Sequence, residues 1–306
     1  MRVLVTGGAG FIGSHVAERL LQRGDDVLVI DDLSSGRADN IPTGVDFERI
    51  RIGKSTVAKA FQRFSPHTVV HCAAQVSVAS SMKDPVADAR ANVVGGLDVL
   101  RSAADVGCSR FVFLSSGGAL YGNVTRPVSE ADAAQPLSPY GVSKWAFERY
   151  LAVSAPADMR WISLRLANVY GPRQRSDGEG GVVSIFASAM SQGRPVEIHG
   201  DGRQTRDFVY VSDVVGAVLC ALEFGDNGTF NIGTGRATSV LDLFRALASI
   251  ASYGLPPSHA APRPGDVGAS VLDIGLAKKE LRWQPEVELQ EGLIHTVRAL
   301  RDDARR

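Results

Sequence analysis

The chain has 306 residues, of which 44% are hydrophobic and 22% are charged, a composition typical of a globular protein with a large core. Lysine plus arginine and aspartate plus glutamate each number 33, so no net charge attracts nucleic acid or an anionic membrane surface. The sequence has no apolar run of membrane-spanning length, starts on a strand-like run instead of a signal peptide, and has three cysteines without a paired spacing. We therefore expect a cytoplasmic protein with no nucleic-acid or membrane partner, no disulfide framework and no metal site.

Strand-like runs alternate with helical patterns in the first half of the chain. In order, the sequence predicts a strand at Arg2–Thr6, a helix from Phe11, strands at Asp26–Asp31 and 67–73, a long helix over 85–106 and a strand over 110–115. Short β-rich runs separated by helices indicate a parallel sheet covered on both faces, the Rossmann-type doubly wound α/β fold. Beyond residue 161 the pattern is less regular, with loops rich in Gly, Pro and Arg. We expect a smaller α/β C-terminal domain there.

Three glycines follow the first strand, Gly7, Gly10 and Gly13 in the run GGAGFIG. This spacing permits a tight turn, a close backbone approach to a pyrophosphate, and packing of the next helix on the sheet. The helix start adds N–H groups and a partial positive charge. Asp31 ends the second strand 18 residues after Gly13, where a carboxylate accepts bonds from both adenosine ribose hydroxyls and repels a 2′-phosphate. The pattern therefore favours NAD over NADP and over a purely structural turn, and the residues assigned to the same loop and ribose are Phe11, Ile12, Asp32, Ser35 and Gly36.

A tyrosine and a lysine lie four residues apart at the start of a predicted helix, in the run Tyr140-Gly-Val-Ser-Lys144 after Pro139. Proline favours the first turn of a helix, and residues four apart share one face. A nearby ammonium stabilises a phenolate, so we expect Tyr140 to titrate below its usual pKa of about 10. Such a phenolate takes the proton of a sugar hydroxyl while hydride leaves the same carbon for a nicotinamide. The alternative is an exposed pair without function.

The sequence resembles an extended short-chain dehydrogenase/reductase of the UDP-glucose 4-epimerase family. The matching segments run in order through nearly the whole chain: 7–13, 71–75, 92, 115–122, 140–144, 165–172, 200–207, 231–235 and 263–266. The resemblance implies an NAD-dependent enzyme that oxidises C4 of a UDP-hexose, lets the 4-keto sugar rotate, and returns the hydride to its other face. It also implies that NAD contacts Ile52, Cys72, Ala73, Ala74, Gln75, Asn92, Tyr140 and Lys144.

The sequence departs from the family pattern at the serine that bonds the reacting oxygen. The family usually has Ser or Thr four residues before the tyrosine equivalent to Tyr121, and this chain has Gly117 there. Ser116 or Ser115 must then make that bond, and we favour Ser116.

The residues before Tyr121 also bear on the type of reaction. Related 4,6-dehydratases have Asp-Glu in this segment, and decarboxylating relatives keep a glutamate, whereas this chain has Gly118 and Ala119. Elimination of water needs a positioned acid and base. Epimerisation is the chemistry that these residues leave available.

Further family positions imply a cleft for the sugar nucleotide. Paired guanidinium groups suit a diphosphate because each donates parallel N–H bonds. The resemblance assigns Asn168, Arg206 and Arg263 to the diphosphate and Asp266 to the uridine ribose. It assigns the remaining contacts with the sugar nucleotide to Gly117, Gly118, Val182, Val183 and His199, of which His199 is an even choice for stacking on uracil.

We therefore expect an NAD-binding domain at residues 1–165 and a mainly UDP-sugar-binding domain at 166–306, with some segments returning to the first. UDP-glucose and UDP-galactose are the default substrates, and UDP-glucuronate and UDP-galacturonate stay open. Alternatives are a dehydratase or decarboxylase, a net dehydrogenase, and a non-catalytic NAD sensor, against which the Tyr140–Lys144 pair argues. The resemblance also implies a homodimer formed through helices around 89–104 and 140–154.

Overall fold

The computed structural model describes residues 1–177, 181–262 and 267–303. The strands are β1 (Arg2–Thr6), β2 (Asp26–Asp31), β3 (Asp46–Arg49), β4 (Thr68–His71), β5 (Arg110–Ser116), β6 (Arg160–Leu166), β7 (Asn168–Tyr170), β8 (Glu197–His199), β9 (Thr205–Arg206), β10 (Phe208–Tyr210), β11 (Gly228–Ile232), β12 (Thr238–Ser239), β13 (Ser258–Ala260) and β14 (Ala269–Ser270). The helices are α1 (Phe11–Gln22), α2 (Thr56–Phe64), α3 (Val78–Lys83), α4 (Pro85–Ala89), α5 (Gly95–Asp105), α6 (Gly117–Leu120), α7 (Pro139–Ser154), α8 (Val182–Ser191), α9 (Val211–Glu223), α10 (Val240–Ala251), α11 (Gly275–Glu280) and α12 (Leu289–Asp303).

Seven of these strands form one parallel sheet in the order β3-β2-β1-β4-β5-β6-β11. The strand order reverses between β1 and β4, so a crevice opens at their carboxyl ends, which is where ligands bind in such sheets. The predicted Rossmann-type doubly wound fold is confirmed. Strand β11 comes from the second half of the chain and pairs with β6 at the edge of this sheet.

Alternate residues of the central strands enter two separate cores, one on each face of the sheet. Val3 and Val5 of β1 pack in a cluster with α1 and α9, whereas Leu4 between them packs with α2, α5 and α7. Side chains alternate across a strand, so a strand covered on both faces needs apolar residues at every position. The uninterrupted apolar run of β1 is explained by this double burial.

Two elements differ from the sequence prediction. The strand expected over 67–73 ends at His71, because residues 72–75 leave the sheet as a loop. The single helix expected over 85–106 is instead α4, a π-helical turn at Arg90–Val94, and α5. A π turn inserts one residue into the helical repeat, and apolar periodicity over so few residues cannot reveal it.

The second half of the chain builds its own core from α8, α10 and α12. Small sheets surround it: β7 pairs with β10, β8 with β13, and β9 lies between β12 and β14. Within the described ranges, no helix is both long enough and apolar enough to cross a membrane.

Candidate active site

The glycine run after β1 forms a close-packed turn at the start of α1. Gly7 has a φ of 69°, and a Cβ on it would lie 2.6 Å from a backbone nitrogen of the loop after β4; a Cβ on Gly13 would lie 2.2 Å from the carbonyl oxygen of Gly7. Neither position accepts a side chain. Gly10 precedes the helix without a side-chain cap, and the first turn, which starts with Phe11 and Ile12, has no acidic residue. Its N–H groups are therefore placed to bind an anion, and the turn fits a dinucleotide pyrophosphate.

Asp31 lies at the carboxyl end of β2, beside the glycine turn. Its two carboxylate oxygens accept N–H bonds from Leu33 at 2.8 Å and from Ala9 at 3.0 Å. Burial raises the pKa of this carboxyl, and the two N–H bonds oppose the increase. Each oxygen has a second lone pair, so the fixed carboxylate can still accept two ribose hydroxyls.

The other residues predicted to contact the adenosine part of NAD do not all lie against the glycine turn. A Cβ on Gly36 would lie 2.8 Å from the Ala9 backbone, so this glycine also closes on the turn. Asp32 accepts an N–H bond from Ser34 at 2.9 Å, Ser35 is exposed, and Ile52 packs close to Gly95 in α5.

The loop after β4 is fixed on both sides. The Ala73 N–H donates to the Thr6 hydroxyl at 3.1 Å. Gln75 and Asn92 exchange two bonds: the Gln75 N–H donates to Asn92 Oδ1 at 2.8 Å, and Asn92 Nδ2 donates to the Gln75 carbonyl at 3.0 Å. Burial raises the pKa of the Cys72 thiol to about 12, so it stays neutral. Residues 72–75, with Ala74 among them, therefore form a rigid wall at the switch point of the sheet.

Helix α7 presents the tyrosine and lysine of the predicted catalytic pair. Its start is well defined, since the Ser138 hydroxyl accepts the Gly141 N–H at 3.2 Å and Pro139 occupies the first turn. Lys144 Nζ donates to the Leu114 carbonyl at 2.8 Å. Burial lowers the pKa of Lys144 to about 8. The lysine is therefore a buried cation in close balance between its two charge states, adjacent to the end of β5.

The expectation that the pKa of Tyr140 is lowered is wrong. The pKa of Tyr140 is raised to about 12, mainly by burial; the Ser116 side chain opposes the increase, and the carboxylate of Asp88 adds to it. The ammonium of Lys144 is directed at a carbonyl oxygen instead. A spacing of four residues places two side chains on one helix face, but it does not show where their polar ends point.

The two serines of β5 differ in their surroundings. Ser116 is half-buried, and its side chain lies near enough to Tyr140 to lower the pKa of that tyrosine, whereas Ser115 is buried and its hydroxyl oxygen has no partner. Successive side chains of a strand point to opposite faces, so only one of the two shares the side of the sheet on which α7 packs. The geometry favours Ser116 as the group that bonds the reacting oxygen.

We expect Ser116→Ala to lower kcat by roughly 10- to 100-fold, because a hydrogen bond to a charged or reacting oxygen contributes about 1.5–3 kcal/mol. Ser115→Ala is the matched control and should leave kcat within about threefold, since it removes a hydroxyl that has no partner. Steady-state kinetics of both variants tests the ranking. A larger loss in Ser115→Ala would transfer the role to that residue.

The glycines after these serines explain the departure from the usual Ser or Thr. A Cβ on Gly117 would lie 2.6 Å from a methyl carbon of Leu272, so a larger residue there would require the Leu272 side chain to move. A Cβ on Gly118 would meet only Asn168 Oδ1 at 3.4 Å and Ser270 Oγ at 4.0 Å. Gly118 therefore leaves space beside polar atoms at the end of the sheet.

The residues assigned to the UDP part lie on the small sheets and helices of the second half. Arg206 lies on β9 and donates to the Thr205 carbonyl at 2.9 Å. Val182 and Val183 open α8. His199 ends β8, with Nδ1 3.1 Å from the Ala261 carbonyl and Nε2 3.6 Å from a Glu197 carboxylate oxygen. Arg263 and Asp266 lie outside the described residues.

One residue that the sequence analysis missed organises this side of the cleft. Asp207 follows Arg206 and is 1% exposed. Its carboxylate accepts bonds from the N–H and hydroxyl groups of Thr234 and from the N–H groups of Gly235 and Leu272, at 2.6–3.3 Å. It therefore ties three segments together beneath Arg206. The signal for this residue in the sequence was its position between an arginine and a run of apolar residues.

A second missed feature lies under α7. Glu148 and Arg165 form a buried ion pair, with Arg165 Nη2 2.7 Å from Glu148 Oε2 and Nε 3.1 Å from each carboxylate oxygen. Arg165 Nη1 also donates to the Tyr121 hydroxyl at 2.6 Å. Glu148 follows Lys144 by four residues in the sequence, which was the signal for a charge on the buried face of α7.

The parallel sheet, the glycine turn at its switch point and the tyrosine with its serine and lysine neighbours define a class of protein, the NAD-binding α/β enzymes. Residues 3–233 match the family model described as the NAD dependent epimerase/dehydratase family. The match covers more than half of the chain, and the protein belongs to this family.

Several of the proteins similar to this chain are UDP-glucose 4-epimerases. It is 42% identical over 310 residues to the UDP-glucose 4-epimerase of Mycolicibacterium smegmatis, covering 99% of each chain. It is 46% identical to the UDP-glucose 4-epimerase of Thermotoga maritima solved with UDP-glucose, with a TM-score of 0.97 over 99% of this chain and 100% of that one. The Thermus thermophilus UDP-glucose 4-epimerase solved with NAD is 44% identical, with a TM-score of 0.93 over 98% and 99%.

Proposed function

We propose that this protein is an NAD-dependent UDP-hexose 4-epimerase that interconverts UDP-glucose and UDP-galactose. The observation that carries the proposal is the placement of Ser116 beside Tyr140, next to a segment without a carboxylate, Gly118 and Ala119. The set provides a proton-transfer group for C4 and no acid or base for elimination across C5 and C6. The similar UDP-glucose 4-epimerases support the same assignment.

In this proposal the Tyr140 hydroxyl lies against the C4 oxygen of the bound sugar, and Ser116 bonds the same oxygen. NAD, when bound, would supply the acceptor for the C4 hydride and the donor for its return to the opposite face of the ring. Tyr140 takes the C4 hydroxyl proton as that hydride leaves, and gives it back as the hydride returns. Lys144 stabilises the phenolate by its charge when its Nζ turns from the Leu114 carbonyl toward the tyrosine.

We assign NAD to the first part of the chain, residues 1–165, and the UDP-sugar mainly to the second part, residues 166–306. We assign the pyrophosphate of NAD to the first turn of α1 and its adenosine ribose to Asp31. Asn168, Arg206, Arg263 and Asp266 are assigned to the UDP part, with Asp207 positioning Arg206. The boundary after residue 165 lies inside β6, so the two parts share one sheet.

We also propose a cytoplasmic homodimer. The surface of α7 and the helical segment before it carry exposed apolar side chains: Val86, Val94, Val142, Trp145 and Val153. Exposed apolar side chains on these helices fit an association surface. The three cysteines are free thiols, which fits a reducing compartment. Light scattering after size exclusion measures the oligomeric state, and a monomer at micromolar concentration would contradict the dimer.

The substrate is tested by incubating the NAD-loaded protein with UDP-glucose, UDP-galactose, UDP-glucuronate and UDP-N-acetylglucosamine, followed by NMR of the products. We expect inversion at C4 of UDP-glucose and UDP-galactose without net change in absorbance at 340 nm, because the hydride returns to the same sugar. Faster inversion of UDP-glucuronate would move the assignment to the uronate pair. Loss of water or CO2 from the sugar would contradict epimerisation itself.

A further inference from the structure

Asp88 is a buried acid behind the catalytic helix. It lies in α4, is 1% exposed, and one of its oxygens, Oδ1, accepts bonds from Gln75 Nε2 at 2.8 Å and from Asn92 Nδ2 at 3.1 Å. Asn92 Nδ2 also lies 3.0 Å from the Ser143 hydroxyl, which donates to the Tyr140 carbonyl at 2.9 Å. Asp88 is thus joined to the loop after β4 and, through Asn92 and Ser143, to the first turn of α7.

The second oxygen of this carboxylate, Oδ2, is buried and has no hydrogen-bond partner. A buried carboxylate oxygen without a partner lowers the stability of the folded protein. Hydrogen bonding by this oxygen therefore does not explain why residue 88 is an acid. An asparagine at 88 would make the same Oδ1 bonds without burying a negative charge. The hydrogen bonds alone therefore do not account for an acid at this position.

The local backbone is unusual at the same place. Asn92 lies within the π-helical turn Arg90–Val94 that follows α4. Such turns are rare and concentrate at functional sites. Here the turn carries the asparagine that bonds both the cofactor loop and Asp88.

Other charges around the catalytic pair come from several elements. Asp88 and Glu148 both raise the pKa of Lys144, and burial lowers it. His71 and Cys72 near Lys144 are neutral, because burial puts their pKa values at about 3 and about 12. The charged residues closest to Asp88 in the sequence, namely Lys83, Asp84 and Arg90, are exposed. Asp88 is the carboxylate that acts on Tyr140, whose pKa it raises.

We propose that Asp88 is a positioning residue that holds the cofactor loop against α7 and places one negative charge behind the catalytic tyrosine. The proposal rests on the proposed epimerase function. The charge opposes ionisation of Tyr140 and supports the protonated form of Lys144. It therefore makes the Tyr140 phenolate a stronger base, so that the phenolate takes the C4 hydroxyl proton as the hydride departs.

The test is Asp88→Asn, which keeps the Oδ1 acceptor and removes the charge. The pKa of Tyr140 should fall when a nearby negative charge is removed, so the acid limb of kcat/KM should move to lower pH by roughly half a unit to one unit. Tyrosinate absorbance near 295 nm, followed against pH with Tyr140→Phe as the blank, reports the same shift without turnover. The dissociation constant for NAD should stay within about threefold of the wild-type value.

Two further variants separate charge from architecture. Asp88→Ala also removes the acceptor of Gln75 and Asn92 and should weaken NAD binding by roughly 5- to 50-fold. Asp84→Asn removes an exposed charge four residues earlier and keeps an N-cap for α4, so its pH profile should match the wild type.

An unchanged acid limb and tyrosinate titration in Asp88→Asn would overturn the electrostatic role. A loss of NAD affinity in Asp88→Asn equal to that in Asp88→Ala would overturn it as well, since the acid would then act only as a structural group. Wild-type epimerase activity in the same assay separates either result from failure of the proposed function.

Discussion

Tyr140→Phe is expected to lower epimerase turnover by roughly 10²- to 10⁴-fold, the usual contribution of a positioned acid or base. The phenylalanine keeps the half-buried ring and removes only the hydroxyl, beside which Ser116 lies. The proton of the C4 hydroxyl then has no acceptor when hydride leaves. The measurement is kcat with UDP-galactose across pH, and the variant should also lose the acid limb that Tyr140 produces.

Binding and folding serve as controls for this variant. The dissociation constants for NAD and UDP should stay within about threefold, because the glycine turn, Asp31 and the UDP-binding segments are unchanged. Tyr150→Phe, which removes an exposed hydroxyl from the same helix, should turn over at the wild-type rate. A Tyr140→Phe protein that retains near-normal kcat would show that another group moves the proton.

Much of the nucleotide half could be predicted because its signals are local. An apolar run followed by a glycine-rich turn gives the bounds of β1. The position of the acid at the end of β2, relative to that turn, can also be read from the sequence. A proline after a serine similarly marks the start of α7. Each of these features depends on residues within about twenty positions of one another.

The features that could not be predicted depend on distant packing. The Leu272 side chain packs against Gly117, 155 residues earlier in the chain. The high pKa of Tyr140 comes from burial and from Asp88, and neither follows from the Tyr-Lys spacing. The π turn that places Asn92 has no signature in apolar periodicity. The resemblance supplied the residues of the UDP cleft, and the role of Asp207 became visible only when its four donors were brought together.

Glu148→Ala is expected to destabilise the protein by about 3–5 kcal/mol, because it leaves the Arg165 guanidinium buried without its partner. Both side chains are almost fully buried, 3% and 8% exposed. The Tyr121 hydroxyl accepts from Arg165 and donates to Asn231 Oδ1 at 2.9 Å, so the loss extends to strand β11. Equilibrium urea unfolding at fixed protein and NAD concentrations measures the change.

A double-mutant cycle separates the interaction energy of the Glu148–Arg165 pair from the other contacts of the two residues. Replacing both residues, Glu148→Met with Arg165→Met, removes the two buried charges together and should cost less than the sum of the single changes by about 1–3 kcal/mol. Glu148→Gln keeps one acceptor for the guanidinium and should fall between wild type and Glu148→Ala. Additive losses in the cycle would mean that the two charges contribute independently. In that case Glu148 would anchor α7 through its bond with Ser163 and through packing, and the catalytic helix would not depend on the ion pair for its position.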